Sequence, residues 1–85
     1  GRQMRLDKFL KVSRIVKRRT VAKEIADAGR ITVNGVKAKP GTELKIGDIL
    51  EIGFGQRKTR ARVLDLRPAV RKEEAETLYE LLETD

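Results

Sequence analysis

The sequence predicts an α+β domain whose elements run helix, helix, small antiparallel sheet, helix. The observations behind this are the helical spacing of apolar residues before Gly29, the change to short alternating runs after it, and the return of helical spacing near the end. With 85 residues the chain has room for one domain. A chain of that size buries only about 60 % of the surface its unfolded form exposes, so a thin core is expected and no separate catalytic domain.

Residues 5 to about 15 read as the first helix, with Leu6, Phe9, Leu10 and Ser13 on one stripe and Val12 and Val16 at its edge. Lys8, Lys11 and Arg14 fall on the remaining arc, with Asp7 beside Arg14. A second helix starts at Thr20, which has the side chain of an N-cap. Val21, Ala22, Ile25 and Ala26 form its buried face, and Gly29 stands where a left-handed C-terminal cap belongs. The capping box is incomplete, because Lys23 stands three residues after Thr20 and the acid, Glu24, comes one later.

Strands follow. Residues 30–33 alternate, Asn34-Gly35 is the strongest short hairpin signal, and residues 36–38 return. Pro40-Gly41 makes another turn, Leu44 and Ile46 lead to Gly47-Asp48, and residues 49–52 form a further strand. Gly53-Phe54-Gly55 breaks it, and residues 59–66 read as one more strand with Ala61, Val63 and Asp65 on one face. Pro68 suits the first turn of a last helix, which would place Ala75, Leu78, Tyr79 and Leu82 on one stripe and Glu73, Glu76, Glu80 and Glu83 opposite. Residues 1–3 read as a non-native leader left by cloning, ahead of Met4.

The absence of His removes the usual neutral-pH base, and the absence of Cys removes thiol chemistry, disulfides and structural zinc. No acid–base pair, metal site or cofactor motif emerges, so a binding protein is expected and not an enzyme. No apolar run approaches the roughly 20 residues of a membrane span, and nothing resembles a signal peptide, so a cytoplasmic chain without membrane contact is expected.

The net charge of +7 conceals a polarity along the chain: residues 1–62 carry 17 basic and 6 acidic side chains, and residues 63–85 carry 3 and 7. The first 23 residues alone hold nine cations against one acid, Asp7. Clustering of this kind points to a polyanion. Its centre is Lys17-Arg18-Arg19-Thr20, immediately before the second helix. A helix N-terminus already presents unpaired N–H groups and about half a positive charge, so each added cation disfavours the helix by about a few tenths of a kcal/mol. A phosphate reverses the sign, because amides and guanidinium groups then converge on one anion. The reading requires that these cations not be locked into carboxylate pairs turned away from the first helix.

Lys8, Lys11 and Arg14 extend the site along the first helix; Arg5, nearer the buried edge, and Lys23 border it. If Lys8, Lys11, Arg14, Arg18 and Arg19 each neutralise one phosphate, log K falls against log salt with a slope of about −3.5 to −4.5. Of the aromatics, Phe9 and Tyr79 lie on apolar stripes, and Phe54 stands alone between glycines. Stacking platforms for unpaired bases are therefore missing, which favours structured RNA read by shape and phosphate. Two other classes fit less well. A DNA-reading second helix would expose base-reading side chains, but this one exposes Lys23, Glu24 and Asp27. A membrane-surface helix needs an apolar face that the core of this chain requires for itself.

Four blocks in order, Arg5-Leu6-Asp7-Lys8-Phe9-Leu10, Lys17-Arg18-Arg19-Thr20-Val21-Ala22, Gly29-Arg30-Ile31-Thr32-Val33-Asn34-Gly35 and Lys45-Ile46-Gly47-Asp48-Ile49-Leu50, resemble the alpha-L RNA-binding domain, named for small-subunit ribosomal protein S-four. The resemblance covers residues 5–52 and leaves 53–85 as an extension, with one more strand and an acidic C-terminal helix packed on the same domain. It implies two helices packed on a small bent, mostly antiparallel sheet, with the helix pair facing RNA. By position in the motif, Asp7 and Arg19 are the critical pair: Arg19 would hold a phosphate and Asp7 would orient a neighbouring Arg or Lys.

A nearly bare domain of this type with a Lys-Glu-Glu-Ala segment (residues 72–75) is most similar to the RqcP family of bacterial ribosome quality-control factors, and next to the related heat-shock protein fifteen family. The acidic end of this chain favours the first. That resemblance implies contact with large-subunit rRNA and peptidyl-tRNA on stalled, split ribosomes, with the tailing factor RqcH as partner in adding C-terminal alanines; the chain is expected to be a monomer.

Overall fold

Leu6, Phe9 and Leu10 form the stripe expected of the first helix, and in the computed structural model, which describes residues 3–82, all three are fully buried. The helix, α1 (Leu6–Val12), is shorter than its apolar spacing predicts. Ser13 ends it: its hydroxyl donates to the Leu10 carbonyl (3.3 Å) and accepts from the Ile15 N–H (3.4 Å), so it competes with the backbone ladder. Arg14 then takes a left-handed conformation, φ +62°, so it follows α1 rather than lying on its outer arc.

The second helix, α2 (Arg19–Asp27), starts ahead of Thr20. The Arg18 carbonyl accepts the first intrahelical bond, from the Ala22 N–H (3.1 Å), which makes Arg18 the N-cap and corrects the expectation for Thr20. The buried face is narrower than predicted: Ala22 and Ala26 are buried, Ile25 is half-buried and Val21 is exposed. At the other end Gly29 adopts φ +75°, and bonds from Arg30 N–H to Ile25 O (3.2 Å) and from Gly29 N–H to Ala26 O (2.9 Å) close a Schellman motif.

Strands β1 (Met4–Arg5) and β4 (Glu43–Leu44) pair antiparallel as a small separate sheet. Neither was expected, since two residues carry no periodicity. This clip also completes α1: the Leu6 N–H donates to Thr42 O (2.8 Å) and the Asp7 N–H to Pro40 O (3.1 Å), which satisfies helix-end amides from elsewhere in the chain.

The main sheet has five antiparallel strands in the order β3-β2-β5-β6-β7: β2 (Ile31–Val33), β3 (Val36–Lys37), β5 (Ile49–Phe54), β6 (Arg57–Val63) and β7 (Tyr79–Leu82). Asn34 (φ +52°) and Gly35 (φ +84°) make the expected hairpin turn. Gly53 and Phe54 do not break β5, which pairs through Phe54↔Arg57; the turn falls at Gly55-Gln56, and β6 starts and ends earlier than predicted. The alternation is clean. Leu50, Ile52, Ala61 and Val63 face the helices and are buried, whereas Glu51, Arg60 and Arg62 are not and face the other way.

The C-terminal helix is present as a 3-10 helix (Lys72–Leu78), with Ala75 and Leu78 buried as its stripe predicts. It begins well after Pro68 and stops at Tyr79, where the backbone becomes extended (φ −149°, ψ 162°) and continues as β7 along β6. Tyr79 and Leu82 therefore belong to a strand. A ladder along an otherwise open sheet edge satisfies more backbone groups than one further helical turn. Glu83, predicted on the polar face, and the leader residues Gly1 and Arg2 lie outside the described residues. One buried cluster joins Leu6, Phe9 and Leu10 to Ile31, Leu50, Ile52 and Val63, and also takes in Leu66 and Leu78. No described helix is long and apolar enough to cross a membrane.

Candidate nucleic-acid interface

The site is built around a carboxylate that the sequence places on the outside and the fold places on the inside. Asp7 is fully buried and does not sit beside Arg14. Its Oδ1 accepts from the Lys8 N–H (2.8 Å) and from Arg5 Nε (3.2 Å), while Oδ2 accepts from Arg5 Nη2 (3.2 Å). Arg19 meets the same group from the start of α2, with Nη2 3.4 Å from Oδ1 and Nε 3.3 Å from Oδ2. Burial by itself would push this carboxyl up. The Arg5 and Arg19 hydrogen bonds, the Lys8 N–H and the charge of Arg19 outweigh it and hold the group below the ordinary carboxylate value of 3.8.

One acid thus ties β1, α1 and α2 together. Arg5 and Arg19 remain 52 % and 44 % exposed, so each keeps N–H donors open to solvent after engaging Asp7. Arg19 is indeed in a carboxylate pair, but with a residue of the first helix, and the pair draws it over the junction of α1 and α2. Lys17 and Arg18 are exposed and make no ion pair among the described residues.

The other expected residues lie on α1, on α2 or between them, and Lys8 also lines a pocket with Met4, Arg5 and Glu43. Lys8 is half-buried on α1, and Lys11 is exposed in its last turn. Arg14 follows α1, and Thr20 and Lys23 are exposed on α2. The first turn of α2 contains no acid, and its N-cap makes no side-chain hydrogen bond. Its leading amides and Lys17, Arg18 and Arg19 therefore present donors and positive charge together, the chemistry that takes a phosphate. Phe54 packs against the core cluster, as does Tyr79, and Phe9 is fully buried, so no aromatic stands at this junction. Among the described residues no group of His, Cys, Asp and Glu is placed to hold a metal ion.

Arg5 was a weaker candidate than Lys8, Lys11 and Arg14 in the sequence, yet it makes the bidentate contact to Asp7. The only sequence signal for this is an acid at the second position of a helix with an arginine two residues before it.

The family model described as "S4 domain" matches residues 4–50, against the 5–52 read from the motif blocks. The RQC P-site tRNA stabilizing factor of Streptococcus pneumoniae is 56 % identical over 79 residues, which are 93 % of this chain and 90 % of that protein. The protein of the same name from Halalkalibacterium halodurans is 60 % identical over 78 residues, covering 92 % of this chain and 89 % of that protein. The trimeric structure of Vibrio cholerae heat shock protein 15 superposes with a TM-score of 0.87 at 28 % identity, covering 95 % of this chain and 83 % of that one. With a domain model matched over more than half its length, and with relatives that it spans almost end to end, the chain belongs to the S4-domain family, among the RQC P-site tRNA stabilizing factors.

Proposed function

We propose that the chain is a non-enzymatic factor of ribosome-associated quality control that binds structured RNA through the junction of α1 and α2. In this reading Lys8, Lys11, Arg14, Lys17 and Arg18 meet phosphates, Arg19 does so from a position fixed by Asp7, and Arg5, Thr20 and Lys23 border the contact. The observation that carries the proposal is the cluster at the start of α2, where, among the described residues, Lys17 and Arg18 are exposed and without an ion pair beside a helix end that has no side-chain cap. A fold selected for stability alone would place Asp or Glu there. Among the described residues the one fully buried carboxylate, Asp7, is engaged by two arginines, a structural role.

The relatives are named for stabilizing P-site tRNA, which supports the finer reading. The RNA is that of large ribosomal subunits and the tRNA they retain after a stalled ribosome splits. The factor works in the cytoplasm as a monomer and supports the addition of C-terminal alanines with RqcH. A role of the heat-shock-protein-fifteen type is the second reading; its sequence support is a 34 % match that spans 48 % of a homologue from Aeromonas salmonicida.

The test is co-sedimentation with large subunits that carry tRNA. The wild-type chain is expected to pellet with them, R18E to lose at least about tenfold in affinity, and R19E to be released. Wild-type occupancy of both variants would overturn the proposal.

A further inference from the structure

We propose that the outward face of the five-stranded sheet is a second RNA-binding surface, which grips a phosphate backbone on the side of the molecule opposite the helix pair. The proposal rests on the RNA-binding reading above and assigns it a second contact.

Strand alternation builds this face. Thr32 pairs with Lys37 on one side and Glu51 on the other, and Glu51 pairs with Arg60, so one row crosses the sheet from Lys37 to Arg60. Lys58 and Arg62 stand two residues either side of Arg60, on the same face and about 6.5–7 Å apart along the strand, the scale of neighbouring phosphates. Arg30 joins them through its carbonyl, which accepts from the Gly53 N–H (2.8 Å) opposite Lys58.

A shallow groove of about 310 Å³ lies between Arg30 and Lys58, bordered by Gly29 and Gly53. The ammonium of Lys37 lies 3.6 Å from where a side chain on Gly29 would begin, which brings a third cation to that groove. Thr32 and Gly53 are small, so a sugar–phosphate backbone can approach the middle of the sheet closely.

Among the described residues two carboxylates pair with cations of this face. Glu51 lies 3.4 Å from Lys58 Nζ and 3.9 Å from Arg60 Nε, and Glu80 lies 2.9 Å from Arg62 Nη1. All these groups are partly or largely exposed, and ion pairs of this kind hold weakly in water, so they yield to a phosphate. The five cations Arg30, Lys37, Lys58, Arg60 and Arg62 less these two acids leave a net charge of +3 on the face. Leu50, Ile52, Ala61 and Val63 on the reverse of the same strands are buried toward α1 and α2, so the two basic surfaces point in opposite directions across a body 29 × 26 × 24 Å in extent. That separation exceeds the screening length of about 8 Å at physiological salt. The two sites therefore bind independently, and one short duplex cannot touch both.

Native mass spectrometry with a short RNA hairpin as probe tests this directly. The wild-type chain is expected to take two hairpins at saturation. K58E/R60E should take one, with the affinity of the first site changed less than about twofold, and K17E/R18E should also take one, held by the sheet. Circular dichroism checks folding, and K58A/R60A provides a milder variant with the same expected loss. E51Q/E80Q should tighten the second hairpin by about 2–5-fold. A wild-type chain that saturates with one hairpin, or a K58E/R60E chain that still takes two, overturns the second surface while leaving the helix-pair contact standing. A wild-type chain that takes none overturns the RNA-binding reading itself.

Discussion

At the scale of single residues, Asp7 decides the architecture of the site. It is a carboxylate surrounded by donors, and removing its charge leaves two guanidinium groups facing an amide. Because Arg5 and Arg19 are half exposed and can rehydrate, D7N is expected to cost about 1–3 kcal/mol in urea unfolding, less than breaking a fully buried pair. The pH dependence has a definite sign. The folded carboxyl titrates below 3.8, so on acidification the unfolded chain binds the proton first. The contribution of Asp7 is therefore complete above that value and is lost as pH falls through the lower, folded value. Urea midpoints measured between pH 5 and pH 2 should show this loss in the wild type and not in D7N. Arg14 makes a contrasting case, since a left-handed conformation suits glycine better than any L side chain. R14G is expected to raise stability by about 0.5–1 kcal/mol and to make the RNA salt slope shallower by about 0.9. A stabler variant with an unchanged slope would remove Arg14 from the interface.

At the scale of elements, turns and caps follow from local geometry. Gly29 ends α2 in a conformation that costs an L side chain about 1–2 kcal/mol, so G29A should lower the unfolding free energy by that amount, read as a lower denaturant midpoint at an unchanged m-value. Elements that depend on such local demands were legible: Gly29 closes a helix, Asn34-Gly35 turns a hairpin, and Leu6, Phe9 and Leu10 bury one stripe. Elements that exist only because a distant partner is present were not. β1 and β4 have two residues each and are defined by each other, and β7 carries helical spacing in its sequence but forms because β6 offers an edge. The clustering of charge on the loop and the first helices was legible, since it needs no tertiary information. The inward turn of Asp7 was not legible from spacing; only the motif resemblance pointed to Asp7 and Arg19 as a pair, with Asp7 orienting a neighbouring cation, and the part of Arg5 went unread. Side-chain competition at Ser13, which shortens α1, was equally invisible to periodicity.

At the scale of the whole molecule, the charge is distributed so that the acidic C-terminal third offsets its own neighbourhood: Glu80 meets Arg62, and Glu74 meets Arg67. In the proposed interface five cations meet phosphates, so binding to a duplex fragment by a chain bearing K58E/R60E should show a log–log salt slope of about −3.5 to −4.5. A slope near zero in fluorescence titrations from 50 to 300 mM salt would contradict phosphate contact through Lys8, Lys11, Arg14, Arg18 and Arg19. The bonds from Leu6 and Asp7 to Thr42 and Pro40, with Met4 and Arg5 laddered to Leu44 and Glu43, carry a consequence for synthesis in the cell. The N-terminal helices emerge first from the ribosome but lack their brace until the segment around residue 44 has also emerged. A peptide of residues 4–29, which holds every helix-face cation but not the segment that braces α1, should therefore show little helicity and bind RNA more weakly than the whole chain.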